Sequence, residues 1–462
     1  MDSGNRVFRK YVQRLLAGVL DNNTDSGQVL RGAAFSFIIL FLGFIATYAS
    51  QVFLARFSGP YEFGLYAYAW TYATGFASLL PLGFNLAVMK LVPSYSAQSR
   101  WSHVKGVLLM TPVLVFAVGL VAGGMGAAGV YLIGASIPPG YVWPLTIAFA
   151  ITPFLAILTL FHGTGRALGS VGVAFAPKAI GVPLAVIAAA GIWVAAGKPL
   201  KAIDIMVFSL AACALFAIVQ GRLLHKDLPD NISNAPPAFE VRAWLRISLP
   251  LLFASGMQLI LNYADIIMIG YFMTPEDVAV YHAAARTAVL ISGFLIAVNA
   301  LAAPSIARLH AEGRMADLQK LISRITHWIF WPSVLATLIA LFFGDFVLAV
   351  FGAGFAAGSV ALSVLAMGQL VNAGAGPVGY LMTMTGHHDA SALVFGCSAV
   401  LNIILNAVLI PAFGITGAAI ATAITMACWN LWFILLVRKR LNINCYVFAA
   451  AHYVGIQREK KI

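Results

Sequence analysis

The chain has 462 residues, 61% of them hydrophobic and 10% charged, with a formal net charge of +12 and a mean hydropathy of +0.91. A soluble domain carries about 25% charged residues, so this chain has too little polar surface to stand in water. The basic excess does not mark a nucleic-acid binder, because it falls in alternate loops and no basic strip is interleaved with aromatics.

At the N-terminus, Val7, Phe8, Tyr11, Val12, Leu15, Leu16 and Val19 recur at helical spacing, with Arg6, Arg9, Lys10 and Arg14 between them. The pattern predicts a short helix on an anionic membrane surface, not a cleavable signal. A disordered basic tail is the alternative, since 22–27 reads as a linker. Apolar runs of the ~20 residues that cross a bilayer then fall near 32–55, 63–86, 106–133, 141–162, 172–196 and 202–224. A polar loop, 224–242, contains Pro229, Pro236 and Pro237. Six more runs lie near 246–272, 278–303, 326–350, 358–384, 391–411 and 415–437. The stretch 441–456 is too short and interrupted to cross and reads as interfacial, ahead of Arg458, Lys460 and Lys461. The expected fold class is all-α: a polytopic membrane protein of 12 transmembrane helices in two six-helix lobes. The division is 1–30 as a cytoplasmic, partly amphipathic segment, 31–224 and 244–438 as the lobes, 225–243 as the cytoplasmic loop between them, and 439–462 as a basic cytoplasmic tail.

Loop charges orient the chain. Most Lys and Arg lie on one side, while Arg56, Lys198 and Lys201 lie on the other, which predicts both termini in the cytoplasm. With six spans each, both lobes enter from the same side, as parallel repeats about an axis along the membrane normal.

The stretch 244–304 organises the second half: one apolar span, a turn at 273–277, and a second span. Asp265 and Arg286 lie within it, each about ten residues from the turn and so roughly 15 Å along its helix. Ionisable residues inside a span are costly and point by default to function. The stretch has an ungapped echo 215 residues earlier. Arg31 matches Arg246, Pro60 matches Pro275, Tyr48 matches Tyr263, and Tyr66 matches Tyr281. At this offset Asp265 falls on Ser50 and Arg286 on Thr71, so only the second copy carries the charges. Prolines interrupt many spans, and Gln51, Asn85, Asn262, Asn299, Gln369, Asn372, Asn402 and Asn406 lie within them. Breaks of this kind survive where neighbouring helices or a water-filled cavity satisfy the backbone. The four cysteines, Cys213, Cys397, Cys428 and Cys445, form no metal-ligand spacing or disulfide framework, and the first three read as small buried residues.

Several of these residues carry a family resemblance. Leu54-Ala55-Arg56, then Gly59-Pro60, Glu62, Gly64 and Tyr66, resemble the opening signature of polysaccharide biosynthesis flippases, and Pro81-Leu82-Gly83-Phe84 is similar to a later step of it. Asp265 to Gly270 with Val280-Tyr281, and above all the run from Ile410 to Thr422, resemble the second half of the pattern; Ala279 departs from its usual glycine. The resemblance spans about residues 30–440. It places the chain beside multidrug and toxin extrusion transporters and peptidoglycan lipid-precursor flippases. It implies a flippase, not an enzyme, in the bacterial inner (cytoplasmic) membrane. Such a protein moves a polyprenyl-pyrophosphate oligosaccharide to the outer leaflet by alternating access around a central cavity. Its partners would be the lipid-linked sugar, membrane lipids, and a polysaccharide polymerase or glycosyltransferases. No cofactor is implied, and coupling to protons or sodium is left open.

Flipping makes and breaks no bond; it shelters a polar headgroup from hydrocarbon. Cations in a wet cavity counter phosphate charge, arginine especially through its fork of donors. Arg286 is the first candidate and Lys178 the second, with Asp265, Asn262, Gln51 and Asn299 completing the expected substrate-binding set. Plainer roles stand beside these: an Asp265–Arg286 salt bridge, snorkelling of Lys178, and packing for His162 and His282. His387, His388 and Asp389 do not read as a zinc site. Two other classes of function compete. A drug exporter would want an acidic cavity for cationic drugs. A membrane glycosyltransferase or polymerase would want paired carboxylates or a sizeable soluble loop, and the longest loop here is about 20 residues.

Overall fold

A computed structural model of the chain describes residues 25–447, with side chains from Ile38 onward except at a few positions between 254 and 304 and at His388. The basic stretch expected to lie on the membrane at 7–19, and the end of the tail, fall outside these residues. The described chain is nearly all helix. The elements are α1 (Asp25–Leu79), α2 (Phe84–Ala97), α3 (Trp101–Leu132), α4 (Pro139–Ala167), α5 (Val171–Ala176), α6 (Val182–Ala195) and α7 (Ala202–Lys226). After them come α8 (Asp230–Ser233), α9 (Val241–Phe272), α10 (Pro275–Ala311), α11 (Met315–Ala349), α12 (Ser359–Ala375), α13 (Val378–Met384) and α14 (His388–Leu441). A wide, π-helical turn, Pro177–Gly181, joins α5 to α6.

Nine stretches among the described residues are long and apolar enough to cross a membrane by length and composition. Nine differs from the twelve expected partly because two helices run on through a glycine. At about 1.5 Å per residue, the 55 residues of α1 would reach about 80 Å, more than twice the hydrocarbon core. The helix therefore turns back on itself at Gly59, whose φ of 80° and ψ of 168° form a conformation open to glycine alone. Pro60 follows and starts the return helix, where its missing N–H costs nothing. In α14 the break is Gly414, at φ 59° and ψ −141°. The α9–α10 turn has the same plan with a different cap. Thr274 accepts the Asp277 N–H, Asp277 receives the Thr274 N–H, and Pro275 is the first helical residue. Pro60 and Pro275 thus hold the same place in their hairpins, and Tyr66 and Tyr281, six residues on, are both buried.

The helices gather into two lobes. In the first, α4 packs on α1, α3 and α7; in the second, α12 packs on α11 and α14, which also packs on α9. The lobes meet mainly where α10 lies along α1. There Gly64 approaches the Pro275 backbone so closely that a Cβ would sit 1.7 Å from the carbonyl oxygen. At the cytoplasmic end expected from loop charge, Gly83 (φ 79°) abuts the Ser248 carbonyl in the same way, and Trp244 of α9 is fully buried with its indole N–H on the Tyr95 hydroxyl at 3.1 Å.

Two expectations need correcting. Cys397 and Cys428 are exposed, while Cys213 and Cys445 are buried: an apolar residue on a span can face outward without cost, so hydrophobicity does not fix burial there. The stretch after Leu441 also does not begin as an interfacial segment. Residues 442–446 leave the helix, and Ile443, Cys445 and Val447 are buried at alternating positions. Gln319 pairs with the Asn444 backbone in both directions at 2.8 Å, and Thr326 donates to the Cys445 carbonyl. Packing against α11 supplies apolar contacts and hydrogen bonds that the membrane surface would not.

Candidate functional site

A cavity of about 210 Å³ opens where the lobes meet. Helix α1 contributes Thr47, Ser50, Gln51, Tyr66, Trp70 and Thr74, one face recurring at helical spacing across the Gly59 break. Leu155 (α4), Val182, Pro183 and Val186 (α6) and Ser209 (α7) complete the first lobe's share with Lys178. The second lobe adds Tyr263 and Arg286. Two cations, one from each lobe, line this cavity, and among the described residues no carboxylate does. A neighbouring cavity of the same volume shares Thr47, Gln51 and Arg286 and is otherwise mainly apolar, with Leu40, Phe44, Val289 and Leu290 in its wall.

Lys178 owes its position to the wide turn after Pro177. Proline cannot donate an N–H, and a turn with an extra residue re-aims the side chains that follow it. The Lys178 Nζ donates to Thr159 Oγ1 at 2.8 Å, and Thr159 passes its own proton to the Leu155 carbonyl. One of three ammonium donors is thereby used. The side chain turns to the cavity and does not reach for the membrane surface.

Arg286 lies one helical turn past His282, its Nε 3.5 Å from His282 Nε2. That ring nitrogen is nearer to Gln51 Oε1, at 3.2 Å. With the proton on Nε2 it donates to Gln51 and offers no lone pair to Arg286. The two terminal nitrogens of the guanidinium have no acceptor among the described residues, so their donors are available to a ligand whichever ring nitrogen of His282 carries the proton.

The structure brings Gln51, Lys178 and Arg286 to one cavity and sends the rest of the expected set elsewhere. Asp265 is buried and accepts from the Tyr281 hydroxyl and from the Ile266 N–H at 2.9 Å. Among the described residues it forms no ion pair with Arg286. Asn262 is exposed on α9 and is not in the cavity wall. Asn299 belongs to α10, and its side chain is outside the described residues. His162 packs edge-on against Phe175. Among the described residues no cluster of three His, Cys, Asp or Glu side chains could hold a metal ion.

Sequence reasoning missed Tyr66, Trp70, Tyr263 and Ser209 as wall residues and His282 as the partner of Gln51. A signal existed for His282, which stands four residues before Arg286 and so shares its helix face. None existed for Ser209, which comes to the cavity only because α7 packs on α4.

Away from the cavity, Glu240 ties the start of α9 to the first lobe. It accepts from the Tyr95 hydroxyl at 3.1 Å and from Arg100 at 3.0 Å, and His103 Nε2 lies 3.0 Å from it. The Tyr95 hydrogen bond foremost, then Arg100 and the nearby His103, hold its carboxyl below the usual range.

The pattern described as "Polysaccharide biosynthesis protein" matches residues 29–310, and the MatE pattern matches 250–408. A probable low-salt glycan biosynthesis flippase of Haloferax volcanii is 31% identical over 172 residues, 36% of this chain and 35% of that protein. A second probable flippase of the same organism is 27% identical over 176 residues, 37% of this chain and 36% of that one. The chain thus matches about a third of the length of these relatives. Among solved structures, an inward-facing multidrug resistance MATE transporter of the MOP superfamily superposes with a TM-score of 0.73 at 13% identity, covering 89% of this chain and 98% of its own. The lipid II flippase MurJ, in an inward closed conformation, gives 0.70 at 14% identity, covering 88% and 87%. These two likenesses establish the fold: a polytopic membrane protein of two pseudo-symmetric helical lobes.

Proposed function

The chain belongs to the polysaccharide biosynthesis protein family, and on that premise we propose that it is a flippase carrying a polyprenyl-pyrophosphate oligosaccharide from the cytoplasmic to the outer leaflet. The observation that carries this reading is a cavity lined by Lys178 and Arg286, one from each lobe, with no acid in its wall among the described residues. Two fixed positive charges with free donors complement a pyrophosphate and disfavour a cationic drug. The adjoining apolar cavity, which shares Arg286, suits the first part of the polyprenyl chain. The headgroup then needs no exposure to hydrocarbon. Because each cation stands on its own lobe, a bound pyrophosphate links the lobes, and alternating access moves the two helical bodies around it.

The protein does no bond chemistry in this reading. In this reading both termini lie in the cytoplasm, the side favoured by the loop charges. The substrate arrives from glycosyltransferases on that face and passes to a polymerase on the other. The Haloferax relatives, described as probable flippases, and the MurJ fold support the same activity.

The test is export of polymer by cells carrying Lys178→Ala or Arg286→Ala at native abundance in the membrane. A charge-assisted hydrogen bond contributes about 1.5–3 kcal/mol, so each change should weaken substrate binding by roughly 10- to 150-fold and reduce export accordingly. Unchanged export by both variants would defeat the proposal. Unchanged polymer with altered resistance to cationic drugs would favour an exporter.

A further inference from the structure

The geometry points to Trp70 as the platform for the first sugar of the lipid-linked saccharide, in the same cavity; this rests on the reading of Lys178 and Arg286 as the phosphate site. Phosphate oxygens only accept hydrogen bonds, so a site for phosphate alone would offer donors throughout. This wall does not. Thr74 Oγ1 donates to the Trp70 carbonyl at 2.8 Å, and Ser209 Oγ donates to the Ile205 carbonyl at 2.7 Å. With its proton committed to its own helix, the Thr74 hydroxyl presents lone pairs to the cavity, while Ser209 is almost fully buried. Lone pairs repel phosphate oxygens and receive the O–H groups of a sugar.

Trp70 stands on α1 one turn before Thr74 and lines the same cavity. Tyr66, almost fully buried, stacks against it with ring centroids 6.0 Å apart and planes 26° from parallel, so the indole is held in place before any ligand arrives. Its N–H has no hydrogen-bond partner among the described residues and is free to donate to a sugar oxygen. The face of an aromatic ring carries partial negative charge. The C–H bonds on the apolar face of a pyranose, polarised by the attached oxygens, are drawn to it. A cationic ligand would also favour an aromatic face, but Lys178 and Arg286 in the same wall repel one. In the sequence repeat the position of Trp70 is taken by Ala285. The platform therefore exists in the first lobe only, as suits a single saccharide lying off the pseudo-symmetry axis.

The experiment measures binding of two probes to the purified full-length chain in lipid nanodiscs: a polyprenyl pyrophosphate without sugar, and the same lipid bearing one hexopyranose. The wild type should prefer the glycosylated lipid by about 3- to 10-fold. Trp70→Ala should erase that preference and leave affinity for the bare lipid within about twofold. Trp70→Phe, which keeps a smaller ring and the fold, should show an intermediate preference. Arg286→Ala should weaken both probes alike. Equal binding of both probes by the wild type, or equal weakening of both by Trp70→Ala and Trp70→Phe, would overturn the sugar platform and leave the phosphate reading standing. Binding of neither probe by the wild type would remove the phosphate reading and the platform together.

Discussion

The contact between Gly64 and Pro275 lies on the seam between the lobes, and Gly64→Ala tests how rigidly they are joined. The added Cβ would lie 1.7 Å from the Pro275 carbonyl oxygen, and real contacts of this kind essentially never fall below 3.0 Å. The helices must separate by about 3.0 − 1.7 = 1.3 Å, because the obstacle is backbone and cannot swing aside. Two hydrogen bonds cross the same α1–α10 seam: Tyr48 to Thr287 at 3.1 Å and Gln51 to His282 at 3.2 Å. A separation of that size carried along the seam stretches both beyond bonding range. Overpacking costs about 1–3 kcal/mol and each lost bond about 0.5–1.5 kcal/mol, which sum to about 2–6 kcal/mol. Thermal unfolding in one detergent reads the effect as a drop of several degrees. Gly124→Ala is the control, since a Cβ there meets nothing within 4 Å. If Gly64→Ala melted together with the control, the close joining of α1 to α10 would be refuted.

Other outcomes follow from the same contacts. Because Asp265 is bound to Tyr281 and not to Arg286, Asp265→Ala should not rescue export in Arg286→Ala; recovery in the double variant would restore the salt-bridge reading. Tyr281→Phe should lower stability by about 1–3 kcal/mol by stranding a buried carboxyl oxygen, read as a melting shift that Tyr271→Phe, at an exposed site, does not share. Glu240 is held below its ordinary pKa of 4.5, so its contribution is full above that value and disappears as pH falls through the lowered one. Acidification from pH 5 to pH 3 should therefore cost the wild type more melting temperature than Glu240→Gln, by a small margin, because the Glu240 side chain is 40% exposed and screened.

Most of the fold was legible in the sequence, because the bilayer makes local composition decisive: an apolar run of sufficient length must become a helix, since no water is present to satisfy its backbone. The hairpin repeat was legible too, as Pro60 and Pro275 must stand where a new helix begins and few other residues are so constrained. Lys178 and Arg286 stood out by the cost of a charge at that depth. What the sequence could not decide was which faces meet. Apolar side chains suit lipid and core alike, so Cys428 and Cys213 look the same until packing assigns one to each. Asp265 and Arg286, at similar depth on neighbouring helices, invited a pairing that Tyr281, five residues before Arg286, forestalls. Trp70 and Ser209 are 139 residues apart and become neighbours only when α7 packs on α4 and α4 on α1. Depth along a helix is a property of sequence position, whereas direction around it is settled by the neighbouring helices, and the cavity is made of directions.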